Sequence, residues 1–194
     1  MLIFPFGSAP LFVPGAADNP VSQATVESLP VLSCDGFRLR EVHLTDAAAL
    51  TALFQLPAVA AHLDPPPATA REFSNWIQLS QSRRAEGKAA CYTLLTGKNE
   101  VSGLFMALRF EGPESAEIGF AVAPHLWGTG VFIKAMNLYL DFLFEEWGVK
   151  TLVGKTLARN ERGVGAMRKL GANVIETTNR NGVGEYVWTL ERRR

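Results

Sequence analysis

The 194-residue chain is 47% hydrophobic and 20% charged, a size and composition that suit one well-buried domain rather than two. Its 19 basic and 19 acidic side chains give a formal net charge of zero, which argues against nucleic acid or an anionic membrane as a partner. Cys34 and Cys91 stand far apart without further cysteines, so the sequence predicts no disulfide framework, no metal site and a reducing compartment.

An N-terminal extension over residues 1–33 comes first, since this stretch is rich in Pro, Gly, Ala and Ser and lacks a sustained period. Residues 34–194 are predicted to form the folded domain. The apolar residues 1–6 lack a basic region, and prolines and Asp18 interrupt the stretch after them, so we expect no signal peptide, no membrane span and a cytoplasmic protein. The apolar start is interpreted as a strand or arm that packs on the domain or on a second subunit, which leaves a homodimer open.

Hydrophobic periodicity predicts a series of strands and helices in the folded domain. In chain order these are a strand at 37–42, a helix at 47–55, a second helical piece that includes His62 and Leu63, a helix from 69 to about 87, strands at 89–96, 100–110 and 115–123, a helix at 130–147, a strand at 150–157, a helix at 161–170, and strands at 173–178 and 183–191. Thr45 or Asp46 is expected to cap the first helix, and Thr69 and Glu72 have the spacing of a capping box. The helix that Thr69 opens is predicted to bury an apolar side formed by Phe73, Trp76, Ile77, Leu79 and Ser80.

These elements predict an α/β (α+β) fold with one mixed, mostly antiparallel sheet of six to seven strands and about four flanking helices. Turns at 97–99 and 111–114 join three neighbouring strands into an antiparallel meander. A mostly buried helix separates the strand at 115–123 from the strand at 150–157. This unit predicts a right-handed crossover and a parallel strand pair.

Residues 116–130 run from a strand through a glycine-containing turn into a helix N-terminus, an arrangement that suits anion binding. The first turn of a helix has free N–H groups and a positive dipole end, and glycines let that backbone approach a phosphate closely. Gly128 and Gly130 by themselves are only a weak indication of an anion-binding site. A dinucleotide-binding fold expects a third glycine where Ile133 stands, so we do not favour that fold.

Four groups of residues, considered together and in chain order, give the sequence a resemblance to a known protein family. They are Leu39-Arg40 with Thr45-Asp46, residues 116–122, Pro124 with residues 127–130, and Asn160 with residues 168–172. Over about residues 37–192 the chain resembles the GNAT superfamily of N-acetyltransferases, most closely the branch that includes the ribosomal-protein N-terminal acetyltransferases. The resemblance implies the GNAT fold, two splayed parallel strands at an acyl-CoA site, and acetyl-CoA as co-substrate.

The resemblance also implies a set of cofactor-binding residues. Backbone amides of the turn would hold the pyrophosphate, and the preceding strand would line the pantetheine arm and thioester. The residues implied are Leu126, Trp127, Gly128, Thr129, Gly130 and Val131 in the turn, and Phe120, Ala121 and Val122 in the strand. Asn160 matches a family residue that caps the next helix and touches the pantetheine, although a cap alone is equally open. Arg159 and Arg162, which flank Asn160, are weaker candidates for the 3′-phosphate.

Acyl transfer to an amine requires a proton acceptor, donors for the developing oxyanion and an acid for the leaving thiolate. Glu117 stands where the histone-acetylating branch places its glutamate, so the resemblance implies a base that acts through a water, while an ordinary structural glutamate is equally open. Met167 and Gly163 stand where many relatives carry Tyr or Ser as the acid. Three other residues could protonate the thiolate, although no family motif locates them at the site: Tyr139, Tyr186 and His125.

We therefore predict transfer of an acetyl group from acetyl-CoA to a primary amine, either a protein N-terminus or a small amine. Direct attack in a ternary complex is expected, because no cysteine or serine stands in a nucleophile motif. Acidic residues that could attract the acceptor are Asp46, Asp64, Glu72 and Glu185. His43 and His62 are predicted to be ordinary packing histidines. The alternatives are a catalytically reduced GNAT domain that binds acyl-CoA as a sensor or scaffold, and a domain that pairs with itself through the N-terminal segment.

Overall fold

The protein is described by a computed structural model that covers residues 28–63, 66–110, 112–180 and 182–192. Its strands are β1 (Leu32–Cys34), β2 (Phe37–Glu41), β3 (Ala89–Thr96), β4 (Glu100–Arg109), β5 (Ser115–Val122), β6 (Thr151–Leu157), β7 (Asn173–Arg180) and β8 (Val183–Glu191). They form one sheet in the order β1-β2-β3-β4-β5-β6-β8-β7. Among these described strands only β5 and β6 pair in parallel, which confirms the predicted mixed architecture and its one parallel pair.

Helices in the described residues are α1 (Ala47–Gln55), α2 (Pro57–Ala60), α3 (Ala70–Ala85), α4 (Val131–Asp141) and α5 (Glu161–Lys169), and a π-helical turn over Phe142–Glu146 continues α4. The capping-box prediction is confirmed, because the Glu72 N–H donates to Thr69 Oγ1 and the Thr69 N–H donates to Glu72 Oε2, each at 3.2 Å. The second helical piece is shorter than predicted. It ends at Ala60, so His62 lies in the turn after it.

The sheet has eight strands rather than six or seven because β1 lies at the boundary of the predicted extension. Leu32 pairs with Leu39 of β2, and Leu29 and Leu32 are only 7% and 9% exposed. Residues 1–27, on which the interpretation of the apolar start depends, lie outside the described residues.

Two buried clusters lie on opposite faces of the sheet, as the alternation of side chains along the strands requires. On β5, Ile118 and Phe120 pack with α4 and α5, whereas Ala121 packs with α1, α2 and α3. Leu79 of α3 was predicted to face inward, and this prediction is wrong, since its side chain is 49% exposed. The buried residues of α3 are Phe73, Ile77 and Ser80, whose spacing of four and three defines a stripe that excludes position 79.

A gap opens between β5 and β6 soon after they begin to pair. They share three residue pairs, of which Glu117 with Val153 is the last. Beyond this point β5 stays paired with β4 as far as Val122, and β6 stays paired with β8 as far as Leu157. The two parallel strands therefore diverge, and backbone groups of β5 beyond Glu117 face a cleft instead of a strand.

Asp46 forms a buried polar network next to α1 instead of capping it. Its carboxylate accepts two hydrogen bonds from the Arg40 guanidinium, at 2.6 and 2.7 Å, and one from the His43 N–H at 2.9 Å. The Thr93 hydroxyl donates a further bond at 2.8 Å. Asp46 occupies the N-cap position of α1, as predicted, but its side chain makes no capping hydrogen bond to that helix, and Thr45 lies exposed in the preceding 3-10 turn.

Replacing Asp46 with Asn is expected to destabilise the fold by about 2 kcal/mol, because it leaves the largely buried Arg40 without its counter-charge. Burial by itself would raise the pKa of Asp46, but Arg40, His43 and Thr93 outweigh it and hold the pKa below its ordinary value. The stability that Asp46 contributes is then present above the ordinary carboxyl pKa and is lost as pH falls through the lowered folded-state pKa.

Urea unfolding between pH 2 and 7 measures this contribution in the parent and in Asp46→Asn. We expect the variant to lose part of the acid-dependent slope of the parent, whereas Asp141→Asn, at an exposed position on α4, keeps that slope. Identical slopes in all three proteins would contradict the assignment.

Candidate functional site

The turn between β5 and α4 is a preformed backbone concavity at the end of the cleft. Gly128 and Gly130 adopt positive φ angles of 77° and 86°, and a Cβ added to either would meet no heavy atom within 4 Å. Internal bonds hold the turn, since the Trp127 N–H donates to the Pro124 carbonyl at 3.0 Å and the Thr129 hydroxyl donates to the Leu126 carbonyl at 2.7 Å. The Val131 N–H, the first of α4, donates to Thr129 Oγ1 at 3.4 Å. The open, left-handed glycines and the first-turn N–H groups of α4, which have no partner within the helix, suit a phosphate.

The edge of β5 that faces the cleft carries backbone donors. The Ala123 N–H donates to Ser102 of β4 at 2.8 Å, so alternation directs the N–H groups of Phe120 and Val122 to the opposite edge. The Trp127 indole N–H donates to the Val122 carbonyl at 2.9 Å and so closes the end of this edge. The cleft thus presents two N–H groups on β5 next to the glycine turn.

Glu117 lies at the vertex of the cleft, where pairing between β5 and β6 ends. It alternates with Ala116 and Ile118, which pack toward α4 and α5, so its side chain lies on the face that carries α1–α3. The side chain is 23% exposed, and its Oε1 lies 3.5 Å from Nζ of Lys155 on β6. A partly accessible carboxylate therefore stands beside the cleft, paired with an ammonium.

The three residues considered as proton donors to the thiolate lie in different surroundings. Tyr139 is fully buried in α4 and donates to the Ala90 carbonyl at 2.6 Å, and its burial raises the pKa of the phenol well above the ordinary value. Tyr186 on β8 packs edge-on against Trp188, with ring centroids 5.9 Å apart, and His125 lies exposed in a 3-10 turn. Tyr139 is thus part of the core and has no access to the cleft.

Asn160 joins the cleft to α5. Its Oδ1 accepts a hydrogen bond from the Gly163 N–H at 3.0 Å, which caps α5, and the residue is 1% exposed. Trp127 and Asn160 line a common cavity of about 260 Å³, so two residues that the resemblance placed at the cofactor lie together. The same cavity contains His62. Its place there could not be predicted from the sequence, because the turn after α2 approaches α5 only in the folded chain.

Two of the four acidic residues proposed for the acceptor are engaged elsewhere. Asp46 pairs with Arg40, Glu72 accepts the capping bonds of α3, and Asp64 lies outside the described residues. Glu185 on β8 lies opposite Leu157 of β6, is 6% exposed and accepts a hydrogen bond from Thr178 at 3.4 Å. Among the three of these acidic residues that the structure describes, only Glu185 lies next to a strand that borders the cleft, β6.

Metal and membrane signatures are absent from the part of the chain that the structure describes. There, no three His, Cys, Asp or Glu side chains come close enough together to hold a metal ion. None of the described helices has the length and apolar character needed to span a membrane. Cys34 is an exposed free thiol and Cys91 a buried one.

Comparison with known proteins places these features in a family. The profile described as "Acetyltransferase (GNAT) domain" matches residues 37–173. A ribosomal-protein-S5-alanine acetyltransferase from Vibrio fischeri aligns with a TM-score of 0.74 at 12% identity, covering 84% of this chain and 96% of that one. A ribosomal L7/L12 alpha-N-protein acetyltransferase in complex with coenzyme A aligns with a TM-score of 0.74 at 16% identity, over 84% and 98% of the two chains. The microcin C7 self-immunity acetyltransferase MccE, in complex with acetyl-CoA and AMP, aligns with a TM-score of 0.71 at 16% identity, covering 82% of this chain and 94% of that one. At these identities the likeness shows the fold alone.

Proposed function

Because the chain belongs to the GNAT acetyltransferase family, we propose that it transfers the acetyl group of acetyl-CoA to a primary amine. The observation that carries this proposal is the divergence of β5 and β6 after three residue pairs, directly beside the glycine turn that precedes α4. A cleft with backbone donors on one wall and an anion-binding turn at its end fits a long, flexible thioester with a diphosphate.

The cofactor-binding residues in this proposal act through their backbone. The turn at residues 126–131 holds the diphosphate, while residues 120–122 line the arm, and Asn160 approaches it from the start of α5. The N–H groups of Phe120 and Val122 face the cleft, where one of them donates to the thioester carbonyl oxygen. Bound acetyl-CoA supplies the activated acetyl group. The chain itself supplies binding, orientation and proton transfer.

Glu117 is proposed as the base that removes a proton from the acceptor ammonium, directly or through one water. It lies on the face of the sheet that α1–α3 only partly cover, so an amine entering from that side meets the carboxylate at the vertex of the cleft. The negative carboxylate also attracts the cationic form of the acceptor.

A protein N-terminus is the acceptor that we favour. Two relatives with the same fold are described as a ribosomal-protein-S5-alanine acetyltransferase and a ribosomal L7/L12 alpha-N-protein acetyltransferase. Glu117, whose side chain is 23% exposed, and Glu185, which is 6% exposed, lie on the same face of the sheet, where their carboxylates would attract an α-ammonium group. This acceptor is consistent with a cytoplasmic location, which is part of the proposal.

A specific observation favours a second function, a domain that binds acyl-CoA without turnover. Met167 and Gly163 are buried in α5 at the positions where relatives carry an acid. The Tyr139 hydroxyl donates its hydrogen bond to the Ala90 carbonyl. A sensor or scaffold would keep the cleft and the glycine turn but would lack the proton donor for the thiolate.

Acetyl-CoA turnover with a panel of amines separates these functions. Release of free coenzyme A is measured with peptides that differ in their first residue, and with polyamines, aminoglycosides and amino acids, beside calorimetric binding of acetyl-CoA. We expect micromolar binding and turnover that depends on a free peptide N-terminus. Binding without turnover on any amine would favour the sensor, and absence of binding would overturn the proposal.

A further inference from the structure

Lys155 lies on the wall of the cleft opposite Glu117. Pairing between β5 and β6 ends at Glu117 and Val153, and Lys155 is two residues further along β6. Leu152 packs toward α4 and α5, so alternation places Lys155 on the face that carries α1–α3, the same face as Glu117. The ion pair between Lys155 Nζ and Glu117 Oε1, at 3.5 Å, therefore spans the vertex of the cleft on the side from which the acceptor enters.

Both partners of this ion pair are accessible to a ligand. The side chain of Lys155 is 38% exposed and that of Glu117 is 23% exposed. Glu185, the diagonal neighbour of Lys155 across the β6–β8 pair, is 6% exposed and accepts a hydrogen bond from Thr178. The vertex thus presents both an accessible carboxylate and an accessible ammonium to an incoming acceptor.

These two charges limit the acceptors that fit the vertex. An acceptor ammonium that approaches Glu117 also approaches Lys155, and like charges at such a distance repel each other. A carboxylate next to the acceptor amine would form a second ion pair, with Lys155, in place of that repulsion. The vertex is therefore complementary to an acceptor that carries both charges. A polyamine or an aminoglycoside carries only cations, which Lys155 would repel.

The diphosphate of the coenzyme is not the anion that Lys155 meets in this arrangement. Because Lys155 Nζ lies 3.5 Å from the Glu117 carboxylate, the ammonium stays at the vertex. The glycine turn comes after Val122, which is five residues beyond Glu117 on β5 and so about 16 Å from it along the strand. Lys155 therefore stays available to the acceptor when the coenzyme occupies the turn.

We infer that Lys155 is a specificity residue that binds a carboxylate of the acceptor, so that the preferred acceptor is a primary amine with a carboxylate on the same residue. This inference rests on the proposed function and deepens it by naming the substrate class. Two sources supply this chemistry, the side chain of an acidic first residue in a protein and the α-carboxylate of a free amino acid. In both, the amine meets Glu117 and the carboxylate meets Lys155, which takes no part in proton transfer.

Acetylation of matched acceptors by the full chain tests this preference. One pair consists of two peptides that differ only in Asp or Asn as the first residue, and the other consists of alanine and alaninamide. For each pair, the ratio of the two kcat/KM values is compared between the parent and variants of Lys155. Because the basicity of each amine is the same for every protein, it cancels in this comparison.

Lys155→Met removes the ammonium and keeps most of the length of the side chain. We expect it to lower kcat/KM about fivefold more for the acceptor with the carboxylate than for its neutral partner, mainly by raising KM. Lys155→Arg keeps the charge and is expected to keep the ratio of the parent. Lys150→Met removes a 71% exposed ammonium just before β6, and as the control it should also keep that ratio.

The two acceptor pairs separate the two sources of the carboxylate. A changed ratio for the peptides assigns it to the side chain of the first residue, and a changed ratio for alanine and alaninamide assigns it to the α-carboxylate; either result supports the inference. Unchanged ratios for both pairs in Lys155→Met would overturn the inference and leave the proposed function intact, whereas absence of turnover with every acceptor would overturn both.

Salt dependence in the parent keeps the test decisive if Lys155→Met does not fold. Salt screens a partly exposed ion pair, so the preference of the parent for the acceptor with the carboxylate should decrease from low to high salt. A ratio that stays constant over this range for both pairs would overturn the inference.

Discussion

Replacing both Gly128 and Gly130 with Asp is expected to abolish acetyl-CoA binding, raising Kd by at least about a hundredfold. Each carboxylate would project into the open space in front of the turn, where the proposal places the diphosphate. Like charges at about 4 Å near a protein surface repel by roughly 1 to 4 kcal/mol, so two of them suffice for a hundredfold loss. Calorimetric titration with acetyl-CoA measures the effect.

The matched control for this variant separates charge from backbone strain. Gly36 lies in the β1–β2 turn and Gly148 lies just before β6, at φ 87° and 78°, and a Cβ on either would also meet no heavy atom within 4 Å. Aspartate at both positions imposes about the same left-handed cost, on the order of 1 kcal/mol per residue, far from the cleft. We expect similar losses of thermal stability in the two double variants and loss of binding only in the first. Undiminished binding by Gly128→Asp, Gly130→Asp would remove the turn from the proposed cofactor site.

Local patterns explain which elements could be predicted from the sequence. The capping box of Thr69 and Glu72 closes within four residues, so its spacing is sufficient to place the start of α3. The meander of β3, β4 and β5 is likewise local. By contrast, β1 has only three residues, too few for a period, although Asp35-Gly36 is a strong two-residue hairpin turn that indicates a strand on each side.

Non-local contacts explain what the sequence could not supply at the candidate site. His62 reaches the cavity because the turn after α2 touches Arg159, a contact that spans 98 residues. The divergence of β5 and β6 was predicted through the family resemblance alone, because both strands keep alternating after their pairing ends and periodicity does not reveal it. The glycine turn could be identified because its residues are consecutive and its conformation requires glycine.

The acidic residues also show how far the candidate site could be predicted from the sequence. Composition and approximate position made Asp46 and Glu72 candidates for attracting a cation, but each carboxylate has its hydrogen bonds within the fold. The capping-box spacing of Thr69 and Glu72 already indicated that Glu72 serves backbone N–H groups, whereas the order of charges along the chain does not reveal that Asp46 pairs with Arg40. Function must therefore be argued from carboxylates that border the cleft, Glu117 and Glu185.

Replacing Glu117 with Gln is expected to lower turnover by about a hundredfold or more, the usual contribution of a general base, with Kd for acetyl-CoA unchanged. Gln keeps the size of the side chain and removes its capacity to accept a proton. The partly exposed pair with Lys155 contributes at most about 1 kcal/mol to stability, so unfolding cannot account for such a loss. Single-turnover release of coenzyme A, measured beside calorimetric binding, separates chemistry from cofactor affinity.

Glu114→Gln is the control, because Glu114 also forms an ion pair with a lysine, Lys150, at 2.5 Å, but on the exposed surface three residues before Glu117. It should leave turnover unchanged. Lys155→Met removes the ammonium beside Glu117 and keeps the carboxylate, so it should retain far more activity than Glu117→Gln if the carboxylate is the base. If Glu117→Gln and Lys155→Met have the same small effect, the two residues form only a structural pair. The proton would then have to leave through solvent, and the cleft would bind acetyl-CoA without a base of its own.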